Sequence, residues 1–111
     1  MKAVKKYNGE IIQAYQAEDL EKLKLVFAAA KLLWIRQWKD QGALDQGSCC
    51  GGKGISVPFI GKGKRNYESI NVVSCDFVQG NVSAYESVGG ALAFLKEQGV
   101  VGASYNDGWM D

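Results

Sequence analysis

Glu18 to Gly42 reads EDLEKLKLVFAAAKLLWIRQWKDQG, and the period of its apolar residues decides the fold class. Leu20, Leu23, Phe27, Ala30, Trp34 and Trp38 recur every three or four positions, which is one face of an α-helix. Leu25, Val26, Ala29, Leu32, Leu33 and Ile35 occupy most of the remaining circumference. The spacing therefore predicts one long apolar helix over about 18–41, covered on more than one side. Glu18, Asp19 and Glu21 at its start, with Arg36 and Lys39 near its finish, match the helix macrodipole. Gly42 supplies a C-terminal stop. The most apolar run, Leu25 to Ile35, falls short of the roughly 20 residues that a bilayer span needs, so it reads as buried helix.

Upstream, two readings of residues 8–17 compete. Asn8-Gly9 between Val4–Tyr7 and Glu10–Tyr15 is a two-residue hairpin signal. Glu, Gln and Ala dominate the stretch and β-branched residues are few, so helix is preferred, with Asn8 as its N-cap. The segment Ile11 to Phe27, IIQAYQAEDLEKLKLVF, resembles the opening helices of nuclear-transport-factor-like domains. Such domains place several long strands after their last helix, and only Gly99 to Asp111 is left for strands here, so the resemblance is not adopted.

Downstream the period changes from helix to strand. Gly47 to Gly54 holds four glycines in eight residues and reads as a loop. Ile55, Val57 and Phe59 alternate with Ser56, Pro58 and Ile60, a short strand that Pro58 places at a sheet edge. Gly61 to Asn66 is a turn, and Tyr67 to Val78 is the longest strand candidate. Ser83-Ala84-Tyr85-Glu86 has the spacing of a capping box. The helix it opens carries Gly89-Gly90, which suggests close approach by another element, and it stops at Gly99. Val100 to Tyr105 is a third strand. The expected fold is α+β: an N-terminal helical half packed on a small three-stranded mixed sheet with one crossover helix, in the order α-α-β-β-α-β. The crossover would make the last strand pair parallel. One domain covers residues 1–111.

Composition narrows the chemistry. Among 111 residues, Lys+Arg 13 against Asp+Glu 12 leaves a net charge of +1, so no global field recruits nucleic acid or a membrane surface. Histidine is absent, which removes the commonest general base and metal ligand. The three cysteines, Cys49, Cys50 and Cys75, are an odd number and two are adjacent, so reduced thiols are expected. Three cysteines with an aspartate do not make a usual zinc set. Neither a metal nor any other cofactor is expected. No signal-peptide pattern follows the N-terminal lysines, and the expected compartment is the cytoplasm.

Several candidates for chemistry remain. Gly47 to Gly54 matches G-x-x-x-x-G-K with Lys53 at the lysine position. However, Gly54 replaces the Ser or Thr that would hold magnesium, and the context is helix–loop–strand rather than strand–loop–helix. Lys53, Lys62, Lys64 and Arg65 are the candidate anion contacts. Asp76 shares a strand face with Ile70 and Val72, as it would beside a cavity. Trp34, Trp38, Asp76, Tyr105 and Trp109 are the candidate pocket residues. No residue is assigned a catalytic role.

By elimination the sequence reads as a small non-catalytic binding protein. It would take a protein partner or a small apolar or aromatic ligand, and self-associate as a homodimer through the Leu25–Ile35 stripe. The first alternative is a small enzyme using the Asp76 carboxylate or the Cys49/Cys50 thiols. A nucleic-acid accessory role through Lys62–Arg65 is the third.

Overall fold

Among the described residues two hydrophobic clusters organise the fold, a large one beneath the long helix and a small one beneath an N-terminal hairpin. The computed structural model describes residues 1–47 and 51–108. Strand β1 (Lys2–Lys5) and strand β2 (Ile11–Ala14) form the antiparallel hairpin. Helix α1 (Ala17–Lys22) and helix α2 (Lys24–Asp40) follow. Strands β3 (Gly54–Phe59) and β4 (Glu68–Ser74), helices α3 (Asn81–Ser87) and α4 (Gly89–Glu97), and strand β5 (Ser104–Asn106) complete the order. The class is α+β, but the expected α-α-β-β-α-β arrangement is wrong in four respects.

First, the expected helix over residues 8–17 does not form, and only Ala17, the first residue of α1, is helical. Turn chemistry outweighs composition here: Gly9 adopts φ 89°, a left-handed conformation that glycine tolerates without a Cβ clash. The Glu10 N–H donates to Asn8 Oδ1 at 3.0 Å. Alternation then puts Val4 and Ala14 inward against Ile60, with Ile12 and Tyr67 packed on them. The segment 11–27 thus spans a strand, a short helix and the start of a longer one.

Second, 18–41 is not one long apolar helix. It breaks at Leu23 (φ −97°, ψ 5°) into a six-residue and a 17-residue helix. Nor is it covered all round. Phe27, Ala30 and Trp34 are buried, whereas Leu25 and Leu32 face outward at 83% and 68% exposure. The stop at Gly42 is as expected: its N–H bonds Lys39 O and the Ala43 N–H bonds Trp38 O, both near 3.0 Å, the two bonds of a Schellman cap.

Third, the three-stranded sheet is antiparallel throughout, in the order β4-β3-β5. The Pro58 strand is therefore central. Pro58 is tolerated because β5 pairs only with Gly54–Ser56. Beyond that point the same edge is met by Tyr15, whose N–H donates to Pro58 O at 2.8 Å while Ile60 N–H donates to Tyr15 O at 2.9 Å. Strands β4 and β5 both run antiparallel to β3, and hence parallel to each other with β3 between them.

Fourth, two short helices replace the single crossover helix. The residue expected to cap it, Ser83, lies inside α3, where its hydroxyl accepts the Gln46 N–H at 2.8 Å. Helix α3 instead starts after Gly80, whose N–H donates to Asp45 Oδ1. Gly89 and Gly90 open α4, and a Cβ on either would enter open space. Their role is the break between helices rather than close packing. Helix α4 does stop at Gly99, with the Val100 N–H bonding Leu95 O at 2.9 Å.

Helix α2 lies between the sheet and the α3–α4 pair. The Trp34 side chain, with no exposed surface, donates from Nε1 to Ala84 O (3.1 Å) and Ser87 Oγ (3.0 Å). Its ring meets Phe77 and Tyr105 edge-on at 5.5 and 6.1 Å. Among the described residues no helix is long and apolar enough to cross a membrane.

Candidate functional site: a cleft between the helices and the sheet

The short first helix creates the site. Because α1 ends at Lys22 and the chain turns at Leu23, the start of α2 stands off the sheet. Between them lies a cleft of about 540 Å³, within the range of small-molecule sites. Leu20 and Phe27 line its helical wall, and Phe59, Ile70, Val72 and Val73 its sheet wall. Adjacent strand residues normally face opposite sides, yet Val72 and Val73 both reach the cleft. The register explains this: Ile55 pairs with Val73 and Ser56 with Asn71, so Val72 is the extra residue of a β-bulge. The bulge also places Asn71 on a polar network, where its Oδ1 accepts from Ser56 Oγ at 2.7 Å and its Nδ2 donates to Gly52 O at 2.7 Å.

Glu21, Lys24 and Lys31 supply charge to the lining. Lys31 Nζ lies 3.0 Å from Asp76 Oδ1 and 3.1 Å from Oδ2. This hydrogen bond and the lysine charge hold the Asp76 carboxyl below its ordinary value, against a smaller opposing effect of burial. An ionised, paired carboxylate is a poor general base. Cys75 next to it is buried, and desolvation pushes its thiol up to about 11, with the Lys53 charge opposing. A thiol in that state is not a nucleophile at neutral pH. No group of three His, Cys, Asp or Glu suited to a metal occurs among the described residues.

The predicted pocket residues separate into different environments. Trp34, Trp38 and Tyr105 belong to one packed aromatic cluster, in which Trp34 and Trp38 both meet Phe77 and Tyr105 meets Trp34. There Trp38 Nε1 donates to Leu44 O at 2.7 Å, and Tyr105 stacks edge-on with Tyr85 at 5.7 Å. Asp76 borders the cleft through Lys31. Trp109, Cys49 and Cys50 lie outside the described residues. Of the predicted anion contacts, Lys53 is buried just before β3, while Lys62, Lys64 and Arg65 are exposed beyond its other end. At about 3.3 Å per residue, the intervening strand sets them roughly 20 Å or more apart.

Sequence reasoning missed the helical wall of the cleft, Leu20 and Phe27, because it counted both as one face of a continuous helix. A signal for the sheet wall was present, since Ile70 and Val72 share a phase with Asp76. Comparison with protein-family models, curated proteins and solved structures gives no match.

Proposed function

We propose that the protein is a non-catalytic binding protein that holds a small apolar or aromatic molecule in the cleft between α1–α2 and the bulged strand β4. The observation that carries this reading is the cleft itself: its walls include six apolar side chains, and Lys24 and Lys31 stand in its lining. An uncharged aromatic probe such as indole, titrated into isotopically labelled protein, is expected to give saturable shifts at the Leu20, Ile70 and Val72 methyls. Ala17→Trp, which fills the cleft from an exposed helix start, abolishes those shifts. Shifts that never saturate, or that fall on other methyls, overturn the reading.

A second reading has its own observation. The β1–β2 hairpin and the 61–67 turn pack on one another through Val4, Ile60 and Tyr67. Lys2, Lys5 and Lys6, the last paired with Glu10 at 3.5 Å, lie on or beside this hairpin, and Lys62, Lys64 and Arg65 on the turn. Tyr7 at the hairpin turn is fully exposed. Cations interleaved with aromatic rings suit single-stranded nucleic acid. Its mark would be oligonucleotide binding, read by fluorescence anisotropy, that weakens steeply with salt and is lost in the Lys64→Glu, Arg65→Glu double variant.

A further inference from the structure

We propose that the cleft takes an extended peptide, which adds as a strand to the outer edge of β4. It sets an apolar or aromatic side chain into the cleft and an acidic side chain beside Lys24. This rests on the ligand reading above and names the molecule to which the held group belongs. Strand β4 is the end strand of its sheet, and among the described residues no other strand pairs with its outer edge. Neither proline nor lysine, the usual guards of a free edge, occurs in its sequence ESINVVS.

The register shows which backbone groups face outward. Residues of an antiparallel strand turn their N–H and C=O groups to alternate sides. Pro58 O accepts from the Tyr15 N–H on the side away from β4, so Pro58 and its partner Ser69 point away from each other. Two residues on, the same alternation turns Asn71, the partner of Ser56, outward. Both Ser69 and Asn71 are exposed. Among the described residues no backbone bond from outside the sheet reaches either.

The cleft lies along this edge. At about 100° per residue, Lys24, Ala28 and Lys31 occupy the flank of α2 between buried Phe27, Ala30 and Trp34 and outward Leu25 and Leu32. Strand β4 supplies the sheet wall apart from Phe59, and exposed Ser74, next to buried Val73, reaches the cleft past the strand's edge. The walls run alongside each other. Ala17 and Phe59, the partner of Glu68, border a hollow at one end, and Lys31 bonds Asp76 beyond the other. A strand laid against β4 would thus have a helix along its far side. Grooves of that kind take affinity from main-chain bonds and specificity from side-chain pockets. Lys24 makes no ion pair among the described residues, whereas Lys31 is held by Asp76. Glu21, three residues earlier, repels an acid placed nearer the Glu68 end. A second copy fits the edge less well. A two-fold axis pairing β4 with β4 preserves the faces of the sheet and brings the copy's own α1–α2 over the same cleft.

The probe is the tightest binder from a random library of end-capped octapeptides, titrated into isotopically labelled protein. It should shift the Ser69 and Asn71 amides together with the Ile70 and Val72 methyls. N-methylation of alternate peptide residues should abolish binding in one phase and leave it in the other, because only every second N–H meets β4. Lys24→Glu should weaken binding about tenfold. Failure to select any peptide, unmoved Ser69 and Asn71 amides, equal binding of both N-methylated forms, or indifference to Lys24→Glu overturns the proposal. So does movement of the same amides with protein concentration alone, which would give the edge to a second copy. Indole separates the two readings: saturable indole shifts without peptide binding sink the peptide and leave the cleft, and absence of both sinks the cleft as well.

Discussion

Cys75 is 4% exposed, and burial raises its thiol to about 11, so it stays protonated at physiological pH. Iodoacetamide added to the native protein at neutral pH should leave it unmodified, with alkylation appearing only in denaturant. Mass spectrometry of Cys75-containing peptides reads this directly, and modification of the native state would place the thiol nearer solvent. Trp34 fixes three elements at once through its two acceptors and two ring contacts. Trp34→Phe removes the indole donor and leaves space in a closed core, which should cost about 1–3 kcal/mol in urea unfolding. Asp76 and Asp19 give the pH dependence. Lys31 lowers the Asp76 carboxyl; hydrogen bonds from the terminal ammonium and the Gln16 N–H lower that of Asp19. The unfolded chain then takes up protons first as pH falls. The stabilisation is complete above the ordinary carboxylate value of 3.8 and is lost as pH drops through the lower folded values. Asp19→Asn should flatten the acid limb of a pH–stability curve and leave the neutral plateau's slope unchanged.

The loop 42–47 and helix α3 meet at Gly80, where a Cβ would collide with the Gln46 backbone carbonyl. Backbone there cannot give way as a side-chain tip can, so Gly80→Ala should destabilise by roughly 2–4 kcal/mol, seen as a lowered thermal midpoint. Gly89→Ala, facing open space at the start of α4, should be neutral or mildly stabilising by comparison. These two glycines show what the sequence could and could not reveal about the elements. Helix ends with left-handed glycines, at Gly42 and Gly99, were legible because the cap is a local device. The partner that crowds Gly80 lies 34 positions earlier in the chain, and no local pattern announces it. The same contrast explains the sheet. Strands β3 and β4 were legible from alternation, whereas the central place of β3 depends on β5 and Tyr15 meeting it at different heights. The bulge at Val72, which shapes the cleft, leaves the alternating pattern intact in sequence and shifts only the pairing. The break at Leu23 was hidden because a helical period continues through it.

At the scale of the whole fold, the two hydrophobic clusters found among the described residues differ greatly in size. Three buried side chains, Val4, Ala14 and Ile60, hold the hairpin, against fourteen in the main cluster. Local opening follows buried contact density, so amides of β1 and β2 should exchange with solvent well before those of β3 and the middle of α2. Equal protection of both sets in native-state hydrogen exchange would show a single cooperative unit. The aromatic cluster around Trp34 has a different consequence, one that concerns the ribosome. Its indole acceptor on Ala84 lies 50 positions later in the chain, with Tyr105 later still. At a synthesis rate of about 5–20 residues per second, Trp34 waits roughly 3–10 s after its own incorporation before Ala84 has even been made. Throughout that interval the inner face of α2 has no α3 or β5 to lie against, and the nascent chain offers a tryptophan-bearing amphipathic helix to whatever chaperone meets it first.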